Sequence, residues 1–319
     1  MVGMYQQQQI LSKGIELAKS PKVQISAGIF LALKSLEYLN AWYTKRKVNN
    51  YVNDPSWDWS CEIVVVTGGS NGIGAAIVSR FAEKGIKVLI LDRIPPATKL
   101  AANTYFYKID LTDSEAISSV ADQIREDHGN PTVLINNAGF AALTSILDSS
   151  ESYLRKLFDV NLLAPYLLTQ QFLPSMIKRN HGHIVNIASQ ASFATQATNV
   201  AYGSTKVGLL AFHEGLGQEL RYIYKAPCVR TSVVHPSWIR TAMTEEMVAK
   251  GKLKDTVTPP EVVADKICNQ VLSGFGAQII VPSNLWWTSL IRGLPGWLQE
   301  SLRNQVTLVL INAMGTGPK

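Results

Sequence analysis

The segment YGSTKVG, residues 202–208, places a tyrosine four positions before a lysine. Residues i and i+4 of a helix project from the same face, so Tyr202 and Lys206 can act on one ligand. A free phenol has a pKa near ~10 and is a poor acid–base catalyst at neutral pH. A neighbouring ammonium group favours the phenolate, so the pair predicts a tyrosine whose pKa is lowered toward the working pH. A surface pair with no chemical role is the simpler alternative.

A glycine-rich segment, TGGSNGIG (67–74), stands between a strand-like run and a helix-like run. Gly68 permits a tight turn, Gly72 allows the backbone to approach a pyrophosphate, and Gly74 allows close packing of the helix. The N–H groups at the start of that helix would then face the phosphates. An ordinary strand-to-helix turn is the alternative, but the context on both sides favours dinucleotide binding.

Strand-like and helix-like runs alternate through residues 61–282. The strand-like runs are short and rich in β-branched and aromatic residues, and they cover 62–67, 86–91, 104–109, 132–136, 183–188, 229–234 and 278–281. Such alternation predicts one doubly wound parallel sheet of the α/β class, covered by helices on both faces. It leaves no room for a second substrate domain.

These motifs together resemble the short-chain dehydrogenase/reductase family over about residues 61–282. The glycine spacing is Thr-Gly-x-x-x-Gly-x-Gly, NNAG stands at 136–139, DVN supplies Asn161, and Ser189 precedes Tyr202 by thirteen residues. The resemblance implies a nicotinamide-dependent oxidoreductase with a catalytic tetrad of Asn161, Ser189, Tyr202 and Lys206. Tyr202 would exchange the alcohol proton, Ser189 would hydrogen-bond the substrate oxygen, and Asn161 would hold a water linking Lys206 to solvent. Lys206 and the positive oxidised nicotinamide would together favour the phenolate of Tyr202. One departure is Ser237, where the family commonly has glycine, and it concerns the local loop shape.

The resemblance also implies a set of cofactor-binding residues: Gly68, Ser70, Asn71, Gly72, Ile73, Asp92, Arg93, Asp110, Leu111, Asn137, Ala138, Gly139, Tyr202, Lys206, Ile239 and Thr241. Asp92 ends the second strand, where a carboxylate accepts hydrogen bonds from the ribose hydroxyls and repels a 2′-phosphate, which favours NAD. Arg93 follows it and suits that phosphate, so NADP stays open. Asp110 ends the third strand and either contacts the adenine or caps the next helix with Thr112 or Asp113.

Composition and charge bound the remaining possibilities. With 46% hydrophobic and 17% charged residues the chain is typical of a globular protein. Of the net charge of +6, residues 1–50 hold seven basic and two acidic residues around an apolar run. That placement favours a membrane surface over nucleic acid as a partner. Three separated cysteines and five scattered histidines predict neither disulfides nor a metal site, and they fit a reducing compartment.

The two ends of the chain carry apolar and aromatic segments. Residues 22–47 are compatible with a transmembrane span, a signal sequence or an interfacial helix, and Lys34 and Glu37 interrupt the apolar run. We expect an interfacial helix with Ile29, Leu33, Leu36 and Tyr43 on one face; a helix docked on the protein is the alternative.

Residues 284–311 contain Trp286, Trp287 and Trp297, which predict a membrane-facing surface or, alternatively, a subunit contact or lid. The predicted organisation is 1–60 membrane-associating, 61–282 catalytic and 283–319 aromatic-rich extension.

The terminal extensions resemble the retinol and hydroxysteroid dehydrogenase branch of the family, found on the endoplasmic reticulum or lipid droplets. That resemblance implies a lipophilic alcohol or carbonyl substrate of retinoid, steroid, fatty or polyketide/terpenoid type, with the catalytic domain in the cytosol.

Trp238, Met243 and Met247 suggest an apolar lid, or packing in the core. A homo-oligomer through the long helices is usual for the family. A tailoring ketoreductase or dehydrogenase of a secondary-metabolite pathway and a non-catalytic lipid-surface scaffold remain alternatives.

Overall fold

The computed structural model describes residue 6 and residues 19–249 and 257–314. The chain divides into two compact units, residues 1–51 and 52–319. The first unit contains helix α1 (Pro21–Val48), which begins with proline at its first position and ends with Lys45, Arg46 and Lys47 in its last turn. Both features suit a helix, because proline lacks only an N–H that has no partner there, and cations offset the negative end of the helix dipole.

Apolar side chains are exposed around most of α1. The predicted apolar face of Ile29, Leu33, Leu36 and Tyr43 is more than half exposed, and so are Phe30, Leu31, Tyr38 and Leu39, with Trp42 at 50%. Leu31, Tyr38 and Trp42 project from the opposite side of the helix, so the apolar surface is wider than the single predicted face. Lys34 and Glu37 form an ion pair of 2.7 Å within this surface. None of the helices in the described ranges is long and apolar enough to cross a membrane.

The second unit is built on a seven-stranded, entirely parallel sheet in the order β3-β2-β1-β4-β5-β6-β7. The strands are β1 (Ile63–Thr67), β2 (Lys87–Asp92), β3 (Thr104–Lys108), β4 (Val133–Asn136), β5 (Gly182–Ile187), β6 (Val229–Pro236) and β7 (Gln278–Val281). The predicted α/β class and all seven predicted strands are confirmed. The strand order reverses between β1 and β4, and in such sheets ligands bind at the carboxyl ends of the strands on either side of this switch point.

Helices cover both faces of the sheet. They are α2 (Gly72–Ala82), α3 (Ser114–His128), α4 (Glu151–Phe158), α5 (Ala164–Arg179), α6 (Val200–Tyr222), α7 (Ala242–Ala249), α8 (Pro260–Leu272) and α9 (Gly296–Met314). A π-helical turn, Asp159–Leu163, joins α4 to α5, and 3₁₀ segments cover Gln190–Ser192 and Ser283–Gly293. Buried residues of α3, α5 and α6 form the core on one face, and those of α2 and α8 form the core on the other.

The C-terminal extension packs against the segment that follows β5. Arg292 donates from Nε and Nη2 to the carbonyl oxygen of Ser192, at 3.2 and 3.0 Å. In α9, the Thr307 hydroxyl accepts a hydrogen bond of 3.3 Å from the N–H of Ala197. The three tryptophans of this extension, Trp286, Trp287 and Trp297, are nevertheless 61%, 40% and 72% exposed. The extension therefore contacts the second unit with some residues and presents its aromatic rings to the outside.

Residues 52–62 are tied to the opposite end of the sheet, where β1 and β5 begin. His181 Nδ1 lies 2.7 Å from an Asp54 carboxylate oxygen, and its Nε2 lies 3.3 Å from the Glu62 carboxylate. The Trp57 ring packs on the His181 ring at 4.1 Å. The buried Arg230 donates from Nη2 to the carbonyl oxygen of Val52 at 2.6 Å. This entry segment is thus fixed by charged groups that come from β6 and from the turn before β5.

Candidate active site

The glycine-rich turn lies at the carboxyl end of β1, against the NNAG segment after β4. Gly68 has φ of +63°, and a Cβ at this position would lie 2.9 Å from the Cα of Ala138. A Cβ on Gly74 would lie 2.1 Å from the carbonyl oxygen of Gly68. Neither position has room for a side chain, because real Cβ contacts are longer. The turn therefore packs directly against the segment after β4 and against its own first residues.

Thr67 joins the ends of β1 and β4. Its hydroxyl oxygen accepts hydrogen bonds of 2.9 Å from the N–H groups of both Asn137 and Ala138. In return, Asn137 Nδ2 donates to the carbonyl oxygens of Thr67 and Gly68, at 2.9 and 3.2 Å. Thr67 was not among the predicted site residues, although it is the first residue of the glycine-rich segment. Thr67 thus holds together the ends of β1 and β4, the two strands on either side of the switch point.

The start of α2 offers unsatisfied hydrogen-bond donors. The side chain of Asn71, which precedes the helix, accepts no hydrogen bond from the first N–H groups of α2. Ser70 Oγ is buried and has no hydrogen-bond partner among the described residues. A Cβ on Gly72 would approach the Thr241 side chain to 3.1 Å, which places Thr241 beside the turn. The uncapped N–H groups at the start of α2 and the unpartnered Ser70 hydroxyl fit the diphosphate of a dinucleotide.

Asp92 stands at the end of β2 beside this turn. Its carboxylate accepts hydrogen bonds from the N–H of Ser70 at 3.1 Å and from the N–H of Arg93 at 2.7 Å. These bonds orient the carboxylate at the place where an adenosine ribose lies in dinucleotide-binding folds. Arg93 is exposed.

Asp110 closes a turn with Thr112 instead of capping a helix. Its carboxylate accepts from the N–H and the hydroxyl of Thr112, at 3.0 and 2.9 Å. These bonds, with smaller contributions from the charges of Arg93 and Lys156, hold the pKa of Asp110 below its usual value. Of the predicted alternatives, Asp113 caps α3, since its carboxylate accepts from the N–H groups of Glu115 and Ala116 at 3.0 Å. Asp110 thus keeps its charge, with Arg93 as an electrostatic neighbour.

Ser189, Tyr202 and Lys206 come together above the carboxyl end of β5. The Ser189 hydroxyl lies near that of Tyr202, close enough to influence the pKa of the tyrosine. Lys206 Nζ lies 5.6 Å from the centre of the Tyr202 ring and donates a hydrogen bond of 2.8 Å to the carbonyl oxygen of Ile187. The structure therefore brings the predicted Tyr–Lys pair and its serine into one cluster, with the lysine over the tyrosine ring and the serine at its hydroxyl.

Burial sets the pKa values of this cluster. It raises the pKa of Tyr202 above the usual value for a phenol, although the nearby Ser189 hydroxyl acts in the opposite direction. Burial also lowers the pKa of Lys206 to about 8. The protein residues alone thus leave the pKa of Tyr202 above its usual value, and the lowering predicted from Lys206 together with the oxidised nicotinamide stays a prediction. The pKa is raised in the protein alone because Lys206 is bonded to Ile187 and faces the ring, while desolvation penalises the phenolate.

Asn161 lies in the π-helical turn, and its side-chain amide is hydrogen-bonded to other protein groups. Its Oδ1 accepts from the N–H of Phe140 at 3.0 Å, and its Nδ2 donates to the carbonyl oxygen of Phe140 at 2.9 Å and to the Thr205 hydroxyl at 3.3 Å. A Cβ on Gly139 would lie 3.3 Å from Oδ1 and 3.5 Å from Lys206 Nζ. The amide therefore fastens the turn next to Lys206. The water expected at Asn161 stays a prediction, and another atom of the residue would have to hold it.

The other predicted cofactor residues differ in what they expose. Leu111 and Ile239 are buried in the two cores, so only their backbone is available to a ligand. Ile73 is partly buried against the second core. Ser237 has none of the positive φ values found at some other non-glycine residues, and its N–H donates to the carbonyl oxygen of Val281 at 2.8 Å. Serine is therefore accommodated in ordinary backbone geometry where the family commonly has glycine.

The predicted lid is only partly described. Trp238 is half-buried and Met243 is exposed, whereas the side chain of Met247 lies outside the described part of the structure. Within residues 19–249 and 257–314, no three His, Cys, Asp or Glu side chains are grouped so that they could hold a metal ion.

A doubly wound sheet with an open glycine-rich turn at its switch point, beside a Ser–Tyr–Lys cluster, defines a nucleotide-dependent α/β oxidoreductase. The family model described as short chain dehydrogenase matches residues 62–252, and the chain belongs to the short-chain dehydrogenase/reductase family. It is 43% identical to Dehydrogenase RED2 of Cochliobolus heterostrophus over 232 residues, which are 70% of this chain and 88% of that protein. It is 31% identical to mouse Estradiol 17-beta-dehydrogenase 11 over 256 residues, covering 77% of this chain and 84% of the mouse protein.

Two solved structures agree with this assignment. A 4-hydroxyisoleucine dehydrogenase complexed with NADH superposes with a TM-score of 0.60 at 26% identity, over 69% of this chain and 96% of that one. A metagenomic short-chain oxidoreductase in complex with NADP gives a TM-score of 0.57 at 29% identity, over 70% and 97%. The family resemblance read from the motifs is confirmed, and the chain is an NAD(P)-dependent short-chain dehydrogenase/reductase.

Proposed function

We propose that the protein interconverts an alcohol and a carbonyl group on a lipophilic substrate, with Tyr202 as the proton donor and acceptor. The observation that carries the proposal is the cluster in which the Ser189 hydroxyl lies beside that of Tyr202 and the Lys206 ammonium lies over the Tyr202 ring. The start of α2, whose uncapped N–H groups and Ser70 hydroxyl fit a dinucleotide, also lies at the carboxyl ends of the strands.

Each residue of the tetrad has a distinct role in this proposal. When bound, the nicotinamide accepts or supplies the hydride. Tyr202 removes the alcohol proton in oxidation and returns it in reduction, while Ser189 donates a hydrogen bond to the substrate oxygen, where negative charge develops. Lys206 supplies positive charge near the phenolic ring and favours the phenolate that burial opposes. Asn161 holds the Phe140 backbone in place beside Lys206.

We also propose NAD as the preferred cofactor. The Asp92 carboxylate is fixed by backbone N–H groups at the end of β2, where it suits ribose hydroxyls and repels a 2′-phosphate. Arg93 is the feature that favours NADP, but its positive charge also faces Asp110. The remaining cofactor contacts are assigned to the predicted set, with Leu111 and Ile239 acting through their backbone.

A membrane or lipid-droplet surface is the proposed location. The exposed apolar circumference of α1, its basic last turn and the exposed tryptophans of the C-terminal extension all suit an interface between water and lipid. The name of the mouse relative refers to a steroid alcohol, which supports a lipophilic substrate. The catalytic domain would lie in the cytosol, on the endoplasmic reticulum or a lipid droplet, as a homo-oligomer. Size-exclusion chromatography in detergent tests the last point.

Replacement of Tyr202 by phenylalanine tests the mechanism. In Y202F the proton donor is lost, so kcat should fall by about 10²–10⁴-fold while NADH binding is retained. The assay offers estradiol, retinol and 2-dodecanol with NAD or NADP, and reads NAD(P)H absorbance; NADH binding is measured by fluorescence titration. Y222F is the matched control, because Tyr222 is an exposed tyrosine at the end of the same helix and should keep full activity.

Each part of the proposal can fail separately in this assay. Undiminished turnover by Y202F would refute the role of Tyr202. A higher kcat/KM with NADP than with NAD would contradict the cofactor preference. Activity confined to small polar alcohols would contradict the lipophilic substrate class.

A further inference from the structure

A buried histidine lies directly behind Ser189. His235 in β6 is completely buried, and its ring packs at 4.4 Å on that of Phe193. His235 Nδ1 lies 3.1 Å from the carbonyl oxygen of Ser189, and its Nε2 lies 3.3 Å from Nε2 of Gln278. Its position in the sequence, among five scattered histidines, indicated no role.

The partners of His235 determine which ring nitrogen carries the proton. A carbonyl oxygen can only accept, so Nδ1 must donate to Ser189. In a neutral ring Nε2 then accepts, and the Gln278 amide is the donor that faces it. Burial, together with the charge of Lys206, lowers the pKa of His235 to about 4, against a smaller opposite effect of the Ser189 hydrogen bond. The ring is therefore neutral near pH 7, with the proton on Nδ1.

This hydrogen bond acts where the sheet no longer holds the chain. β5 ends at Ile187, and the last bond to the neighbouring strand runs from the N–H of Ala188 to the carbonyl oxygen of Val234 at 2.8 Å. The Ser189 carbonyl is then held by His235 and by the N–H of Ser192 at 3.0 Å.

The fixed backbone aims the Ser189 hydroxyl. Ser189 Oγ accepts from the N–H of Ala191 at 3.2 Å, so its own proton stays available for the substrate oxygen beside Tyr202. A rotation of the Ser189 backbone would move Oγ away from both Ala191 and the Tyr202 hydroxyl.

We propose that His235 is a positioning residue, which holds the Ser189 backbone so that the serine hydroxyl stays beside the Tyr202 hydroxyl and aimed at the substrate oxygen. The inference rests on the proposed function, because the placement of the Ser189 hydroxyl matters only if Tyr202 transfers the proton. His235 acts through Ser189 and does not touch the substrate.

Two substitutions of similar size separate positioning from packing. In H235N the amide Nδ2 takes the place of Nδ1 and still donates to Ser189, whereas in H235Q the amide lies where Nε2 was and the Ser189 contact is lost. We expect H235Q to lower kcat for oxidation about tenfold, which equals ~1.4 kcal/mol of activation free energy, with KM for NAD unchanged. H235N should stay within about twofold of the natural protein. H183Q is the control for replacement of a fully buried histidine, since His183 bonds to Ser232 instead.

A second readout needs no turnover. With NAD bound, ¹³Cζ-tyrosine NMR follows the ionisation of Tyr202, assigned by its absence in Y202F. H235Q should raise the pKa of Tyr202 as S189A does, while H235N and H183Q should not. Turnover is measured on estradiol and 2-dodecanol, and folding by the thermal midpoint.

The outcomes separate this inference from the proposed function. If H235Q and H235N are alike in both readouts while S189A impairs them, the positioning role of His235 is overturned and the proposed function stands. If S189A changes neither readout, the proposed function is contradicted. Equal loss in H235Q and H183Q would assign the effect of His235 to packing.

Discussion

At the residue scale, the cluster around Tyr202 combines two groups that burial affects in opposite ways. Burial makes the phenolate harder to form and the ammonium easier to lose, so the pKa of Tyr202 lies above its usual value and that of Lys206 falls to about 8. Without further positive charge Tyr202 keeps its proton near pH 7. The protein alone is therefore set up to donate a proton to a carbonyl, and removal of an alcohol proton depends more on the bound oxidised nicotinamide.

The two directions of the reaction should consequently differ in pH dependence. Carbonyl reduction needs protonated Tyr202 and charged Lys206, so its kcat/KM should be level below about pH 8 and fall above it as Lys206 loses its proton. Alcohol oxidation should rise with pH up to about pH 8, because more Tyr202 is ionised, and level off above it as Lys206 loses the charge that favours the phenolate. Initial rates with estrone plus NADH and estradiol plus NAD from pH 6 to 10 provide the measurement. A reduction rate unchanged up to pH 10 would exclude Lys206 as the titrating group.

The spacing of residues 202–208 predicted which side chains meet but not their pKa values. Helical periodicity brings Tyr202 and Lys206 to one face whatever surrounds them. Their burial depends on β5 and on the 3₁₀ segment, which lie outside the helix that carries the pair. The same holds for Asn161, whose partner Phe140 lies 21 residues away in the segment that follows β4.

At the element scale, the glycine-rich turn and its neighbouring strand ends leave no room for side chains at two positions. Gly68 packs against Ala138, and Gly74 at the start of α2 packs against the Gly68 carbonyl. The turn can therefore keep its shape only while these residues remain glycine. Its donors, by contrast, remain available for a ligand.

Gly74→Ala should weaken NADH binding strongly. Its Cβ would lie 2.1 Å from the Gly68 carbonyl oxygen, so either the turn or the start of α2 must move. We expect at least a hundredfold weaker binding, about 2.7 kcal/mol, in fluorescence titration. Gly215→Ala is the matched control: this glycine lies within α6 with nothing within 4 Å of the added Cβ, so binding should be unchanged and stability higher by about 0.5–1 kcal/mol. Normal NADH affinity of Gly74→Ala would contradict the assigned turn.

The His181 ion cluster should make the second unit depend on pH. Burial lowers the pKa of His181, but hydrogen bonds to Glu62 and Asp54 outweigh this and raise it. Burial alone would raise the pKa of both carboxyl groups. Hydrogen bonds outweigh burial and lower both pKa values: Ser56 has the largest such effect on Asp54, and His181 has the largest on Glu62. The histidine contribution is complete below its unfolded pKa of ~6.5 and is lost as pH rises through the folded value; the carboxylate contributions are lost in acid.

His181→Gln should therefore destabilise the protein most near pH 6, by about 1–3 kcal/mol, and less at pH 9. Urea unfolding at both pH values measures the difference. His128→Gln is the control of opposite sign, because burial, with the charge of Lys87, lowers the pKa of His128, so any contribution of that ring is lost as pH falls. An equal cost of His181→Gln at pH 6 and pH 9 would show that the ring acts by packing alone.

The sheet was predictable from local sequence, whereas this ion cluster was not. Each strand is a short β-branched run between turn residues, so its pattern is complete within a few positions. His181 and Asp54, in contrast, are 127 residues apart in the sequence. They meet only because the parallel strands β1 and β5 begin at the same end of the sheet. The two histidines at 181 and 183 look alike in the sequence, yet His183 is fully buried and its pKa is lowered to about 3 by burial above all, with smaller effects of Arg230 and His213.

At the scale of the whole molecule, the chain has one unit formed by residues 1–51 and another that contains the fold and the site. The binding of Val52 by Arg230 lies wholly within the second unit. This division, which falls before the predicted boundary at residue 60, indicates where the chain can be cut with least disturbance. Residues 52–60 belong with the catalytic unit because they carry Asp54 and Trp57.

Removal of residues 1–51 should release the protein from membranes while leaving NADH binding intact. The exposed apolar side chains of α1 are lost, and the contacts of Val52 and Asp54 are kept. Flotation with phosphatidylcholine vesicles and with artificial lipid droplets measures the change. Substitution of Trp286, Trp287 and Trp297 by glutamine in the full chain is the companion variant. If the shortened chain still floats and the tryptophan variant does not, the C-terminal extension is the anchor instead of α1.

The Arg292–Ser192 contact has a consequence for variants of the C-terminal extension. The carbonyl that Arg292 holds belongs to the short turn beginning beside Ser189, so this one side chain links the extension to the backbone next to the reacting groups. A substitution or truncation that removes Arg292 takes two hydrogen bonds from that turn, so its effect on turnover must be measured separately from any effect on lipid binding.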